Sequence, residues 1–139
     1  MKTTVTWTGG VSFSATTGSG HAVVMDGAPE SGGQNRGPRP MELVLVGTGG
    51  CTAFDVVHIL RKSRLEVTAC VAEVEAERAA TDPKVFTRIH IHFIVTGRNL
   101  DPKKVAHAIE LSATKYCSAS IMLAKTAKIT HDFEIAETK

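Results

Sequence analysis

The stretch from Pro40 to Ser63, PMELVLVGTGGCTAFDVVHILRKS, constrains the fold of this chain more than any other. Proline suits the first turn of a helix because the N–H it lacks would be unpaired there anyway. From that point apolar residues recur with helical period to about Ser63. Gly47, Gly49 and Gly50 interrupt the run, each costing about 1 kcal/mol relative to alanine in a helix interior. Two explanations are open. Either another segment packs closely against the glycines, or the helix breaks there and exposes the amide and thiol of Cys51. The second would be chemically useful, because a thiolate is favoured near a helix N-terminus.

The flanking sequence reads as strands and two further helices. Thr3 to Thr8 alternates Val and Trp with Thr, Gly9-Gly10 makes a tight turn, and Val11 to Thr16 is the return strand. His21 to Met25 is a third short strand, followed by a polar loop from Gly27 to Pro40 of the kind that often binds ligands. Leu65 to Arg78 and Lys84 to Thr96 are long strands. On the second, Val85, Ile89, Ile91, Phe93 and Val95 share the expected core face. Asp101-Pro102 starts a helix as N-cap and N1, with Val105, Ala108, Ile109, Ser112 and Tyr116 on one side. Ser118 or Ser120 can cap a short helix through Leu123, and Ala127 to Ala136 is a last strand. The order β-β-β-α-β-β-α-α-β predicts one α+β domain over 1–139, its helices covering one face of a largely antiparallel sheet.

Composition excludes several functions. Lys and Arg number 16 against 14 Asp and Glu, and no basic run interleaves with aromatics, so nucleic acid is not an expected partner. The N-terminus shows no apolar signal region, and Leu43 to Val46 is too short to span a bilayer, so no membrane is expected. A cytoplasmic location follows, where the three cysteines are expected as free thiols.

Cys51 and Cys117 are the candidate chemical residues. On a helical wheel Asp55, His58 and Lys62 lie within about 40° of Cys51, opposite Ala53, Val56, Val57 and Leu60. Cys51 therefore heads a polar stripe, whereas a core cysteine would sit among the aliphatics. Cys117 lies at a helix junction, where a reactive thiol and a small buried residue are both reasonable readings. Cys70, between Ala69 and Val71, reads as core. His90 and His92 share a strand face with Arg88. Two such histidines can ligate a metal, but no third ligand shows at a supporting spacing, so a polar outer face is expected and neither metal nor cofactor is predicted.

The segments GPRPMELVLVGTGGCTAFDVVHIL and AIELSATKYCSASIMLAKTAKIT resemble the OsmC/Ohr family, and more narrowly its YhfA-like branch. The resemblance covers nearly the whole chain. It implies the OsmC-like fold, an intertwined homodimer with two central helices wrapped by two largely antiparallel sheets. It also implies a thiol-dependent peroxidase of organic hydroperoxides or hydrogen peroxide, serving oxidative stress defence. Carried over, Cys51 is the peroxidatic thiol, Cys117 the resolving one, and an external dithiol the reductant.

The sequence departs from the peroxidase branches at the residues that activate the thiol. Met41 follows Pro40 where those branches have Glu, and Glu42 comes one position late. Gly18 or a small neighbour stands where they have Arg; a separate departure is Ser118, where they usually have Pro after the resolving cysteine. Arg36, Arg39 or His58 are candidates to replace the lost guanidinium. The competing functions are a non-catalytic module binding a small apolar or acyl ligand at the dimer cleft, with the Gly27 to Pro40 loop as lid, and a redox sensor.

Overall fold

The computed structural model describes residues 1–138 and is α+β, with two three-stranded sheets. It resolves into two compact units, Met1–Leu45 and the chain from Val46 onward.

The first unit is an antiparallel meander of β1 (Thr3–Gly9), β2 (Ser12–Thr17) and β3 (Ala22–Asp26). Gly9 and Gly10 turn the first hairpin with φ of +111° and +56°, values that a Cβ disfavours. β1 is exposed along its whole length, Trp7 included. The polar segment after β3 winds around the buried Asp26 carboxylate, which accepts from the amides of Gly27, Gln34 and Arg36 at 2.9, 2.9 and 3.2 Å. The bonds from Gln34 and Arg36 chiefly hold that carboxyl below its ordinary pKa.

Helix α1 runs unbroken from Pro40 to Lys62. Glu42 accepts the Arg39 amide at 2.8 Å, the reach-back half of a capping box. The glycines do not break the helix, so of the two explanations the break that would expose the Cys51 amide is ruled out, and Cys51 lies in mid-helix. Gly49 has the packing reason: a Cβ there would come within 3.0 Å of the Val74 side chain, while Gly47 and Gly50 face open space. Thr48, Gly49, Thr52, Val56 and Leu60 form the buried edge. At the C-terminus Arg64 takes φ of +63°. The Leu65 amide then reaches the Leu60 carbonyl and the Arg64 amide the Arg61 carbonyl, a Schellman ending. By length and mean hydropathy, 1.7, α1 would also pass as a membrane span. The sequence reading missed this by counting only Leu43 to Val46. Core helices of soluble proteins share the property, and Asp55 on this helix is hydrogen-bonded to another protein segment.

The second sheet holds β4 (Glu66–Arg78), β5 (Phe86–Arg98) and β6 (Lys128–Glu137) in that order, β4 antiparallel and β6 parallel to the central β5. Ile89, Ile91, Phe93 and Val95 are all buried, as their alternation requires. Burial of such side chains stabilises by about 1.5–3 kcal/mol each before opposing entropy. Val85 is not with them. It precedes the strand and is exposed, while Phe86 is buried, because the β4–β5 register shifts between Glu77 and Arg78.

Helix α2 (Pro102–Leu111) starts as expected, with Asp101 accepting the Lys103 amide at 2.9 Å. Its end is different. Residues Ser112–Tyr116 form a single π turn, and helix α3 (Ser118–Leu123) follows. The wider turn shifts the helical phase, so Val105, Ala108, Ile109 and Ser112 stay buried while Tyr116 swings out to the surface.

Candidate functional site

Cys51 and Cys117, both free thiols, lie close enough that each affects the other's ionisation, and Ser118, next to Cys117 in the chain, sets its hydroxyl 4.0 Å from the Cys51 sulfur. α1 supplies the first from its middle, and the turn after the π segment supplies the second. Their surroundings differ. Cys117 is fully buried and is itself the N-cap of α3, its Sγ accepting from the Ser120 amide at 3.4 Å and the Ser120 hydroxyl at 3.1 Å. The cap expected at Ser118 or Ser120 is thus a cysteine, with Ser120 as donor. Burial pushes the Cys117 thiol above its ordinary value. The Ser120 bonds pull it down only in part, and the neighbouring Cys51 adds to the rise.

Cys51 is half-buried, and its balance runs the other way. Burial pulls its pKa up. The Ala119 amide, the Cys117 thiol and the Ser118 hydroxyl outweigh that, against the opposing charge of Asp55, and the net is a lowered value. The Ser118 Oγ lies 4.0 Å from the Cys51 Sγ, the outer limit for a hydrogen bond to sulfur. The donors on Cys51 therefore come from residues 117–119 and not from an N-terminus of its own helix.

Behind the thiols lies a hydroxyl–carboxylate chain. The buried Ser112 hydroxyl donates to Asp55 at 3.0 Å and meets the Thr52 hydroxyl at 2.8 Å, while the Ser112 carbonyl accepts the Cys117 amide at 2.8 Å. Ser112 so ties the polar edge of α1 to the cysteine turn. Sequence pattern had placed it merely on a helix face. Of the groups considered as a substitute for arginine, His58 stacks on Phe54, ring centroids 5.7 Å apart. The Arg39 guanidinium donates to Asn35 and to the Gly37 carbonyl within its own unit. Cys70 is only half-buried, in an apolar recess of about 370 Å³ lined by Gly50, Ala53, Phe54, Val57, His58 and Arg61. Burial raises its pKa.

On the outer face of the second sheet, parallel pairing brings Asp132 beside both histidines. It accepts from His90 Nε2 at 3.0 Å and His92 Nδ1 at 2.7 Å, and Glu134 lies 3.3 Å from His92 Nε2. Chain spacing could not reveal Asp132, because it arrives from another strand. Among the described residues no group of three His, Cys, Asp or Glu side chains is arranged to hold a metal ion.

A mid-helix thiol set against a second thiol that caps another helix, on an α+β scaffold of two three-stranded sheets, defines a two-cysteine domain. The chain belongs to the OsmC family: the family model for OsmC-like protein matches residues 32–132. It is similar to the protein YhfA of Escherichia coli strain K12, with 47% identity over 135 residues covering 97% of this chain and 98% of that one. A hypothetical protein from Aquifex aeolicus VF5 has the same fold, at 27% identity and a TM-score of 0.87 over 99% of this chain and 97% of that one. An organic hydroperoxide resistance protein OsmC from Legionella pneumophila superposes with a TM-score of 0.74 over 96% and 97% of the two chains. Its 18% identity carries the fold alone.

Proposed function

We propose that the protein is a thiol-dependent peroxidase that reduces organic hydroperoxides or hydrogen peroxide, with Cys51 as the attacking thiol and Cys117 as the resolving one. The observation that carries this reading is the asymmetry of the two neighbouring thiols. Cys51 is accessible and its thiolate favoured, whereas Cys117 is buried and held as the thiol. The Cys51 thiolate attacks the terminal peroxide oxygen, the O–O bond breaks, and the leaving alkoxide or hydroxide takes a proton. Cys51 becomes a sulfenic acid. The Cys117 sulfur then displaces the sulfenic hydroxyl, giving a Cys51–Cys117 disulfide and water. An external dithiol reduces the disulfide and is itself oxidised to a disulfide.

Membership of the OsmC family agrees with a redox role. A homodimer in the cytoplasm belongs to the same reading. Exposed Val46, Phe54 and Met122 in the second unit offer apolar surface for a second copy to cover. Sedimentation equilibrium at micromolar protein checks the dimer. The activity test is peroxide consumption with dithiothreitol or a lipoylated donor. The wild type should turn over and form the Cys51–Cys117 disulfide, and Cys51→Ser should not turn over. A wild type that consumes no peroxide with either donor refutes the assignment.

A further inference from the structure

We propose that Ser118 is a catalytic residue of the Cys51 chemistry, its hydroxyl donating to the Cys51 sulfur and holding the thiolate for attack. The inference rests on the peroxidase reading for its purpose, but not for its geometry.

Three observations lead to it. Among the described residues the Ser118 hydroxyl has one partner, Cys51 Sγ at 4.0 Å. Ser118 is also free of the structural duty its position suggests, because Cys117 caps α3 and Ser120 completes that cap from the next turn. At the first position of a helix the backbone amide needs no partner, and even proline is welcome there. Cys117, at φ −76° and ψ 99°, already holds the extended conformation that a residue before proline prefers. The exposed hydroxyl is therefore dispensable to the fold and directed at one atom, the sulfur.

The two serines around Cys117 divide the site. Ser120, buried, keeps the Cys117 sulfur in its cap. Ser118, exposed, addresses Cys51. Hydrogen bonding to an anion exceeds that to its neutral form, so a hydroxyl here favours the thiolate over the thiol. It does so without a formal charge, in a site where the nearby charge of Asp55 disfavours ionisation. As the thiolate attacks and its charge passes to the leaving oxygen, the hydroxyl loses its anionic partner and the resolving sulfur can approach.

The test is the pH dependence of Cys51 alkylation by iodoacetamide, followed peptide by peptide so that Cys70 and Cys117 do not contribute. Ser118→Ala and Ser118→Pro should each lower the thiolate fraction at pH 7 about three- to tenfold, reading as a Cys51 pKa raised by about half a unit to one unit. Ser118→Thr should restore it. Ser118→Pro should keep the wild-type melting curve, which separates a lost donor from a lost fold. Unchanged alkylation profiles in both Ala and Pro variants overturn the proposal. So does a loss that Thr fails to restore. The readout needs no peroxide turnover. A protein that shows the shift but consumes no peroxide therefore supports the Ser118 contact while refuting the peroxidase reading.

Discussion

The middle of α1 and the turn between α2 and α3 each present a thiol, yet they differ in what the thiol does for its own surroundings. Cys51 is a guest in its helix. Its side chain caps nothing in α1, and its neighbours Asp55 and Thr52 are satisfied through Ser112. Cys117 is structural where it stands, since its sulfur accepts two donors at the start of α3. The lesson is that reactivity and structural duty are separated between the two sulfurs. In the proposed chemistry Cys51 can change oxidation state with no cap to lose, whereas Cys117 must give up a cap when it forms a disulfide.

Substitution at each cysteine is the strongest way to break this comparison. Cys117→Ala removes a buried side chain and a cap, and should cost about 2–3 kcal/mol in urea unfolding. Cys51→Ala should change stability by no more than about 0.5 kcal/mol, because the site is half-exposed and alanine favours helix. Cys117→Ser should recover much of the loss, since serine is a good cap, but not the disulfide. In that variant peroxide should leave Cys51 as a sulfenic acid that dimedone traps. Equal destabilisation by the two alanine variants would remove the distinction.

Ser112→Ala tests the link between the two regions. It leaves Asp55 without its hydroxyl donor and Thr52 without its neighbour, so a cost of about 1–3 kcal/mol is expected for partly buried polar groups left unpaired. A melting temperature equal to wild type would mean that water replaces the lost hydroxyl at no cost. Asp55→Asn is gentler. The amide oxygen can still accept from Ser112, while the negative charge that raises the Cys51 pKa is gone. The thiol pKa should fall and alkylation at pH 7 should quicken, by about two- to fivefold for a partly screened charge. Slower alkylation would show that the sign of the Asp55 effect is wrong.

These residues also mark where sequence reading succeeds and stops. Pro40 and Asp101-Pro102 start helices because proline and an N-cap act locally. The alternation along β5 is legible because period two needs no partner. The π turn left no such mark, since Ser112 and Tyr116 fit an α-helical stripe as well as any residues, and only the structure shows Tyr116 leaving it. Glycines at 47, 49 and 50 left a break and close packing both open, yet the helix runs through all three, with close packing at Gly49 and open space at the other two. Ser118 is legible in the sequence only as a departure from the family. Its bond partner lies on another helix, and no spacing along the chain can point there. Asp132 escaped for the same reason.

The outer face of the second sheet supplies the smallest effect and the control for all the others. His92 is bonded to Asp132 and Glu134, and chiefly the Asp132 bond raises its pKa, while Asp132 is lowered chiefly by His92. A raised His92 stabilises the fold below its unfolded value of about 6.5 and loses that contribution as pH climbs through the folded value. A lowered Asp132 contributes above its unfolded value of about 3.9 and loses that as pH falls through the folded value. Both contributions are therefore present together between about pH 4 and 6.5. Glu73 and Glu75 face the two histidines from β4 and add favourable charge in the same interval. The melting-temperature gap between wild type and Asp132→Asn should be widest near pH 5, and should narrow toward pH 8 and again toward pH 3. A gap independent of pH would assign the stabilisation to neutral hydrogen bonds instead. Because none of the groups that shift the Cys51 thiol belongs to this cluster, the same variant should leave the Cys51 alkylation profile at its wild-type position. A shift there would mean that the thiol responds to charge across the sheet, and that Ser118 and Asp55 do not set its ionisation alone.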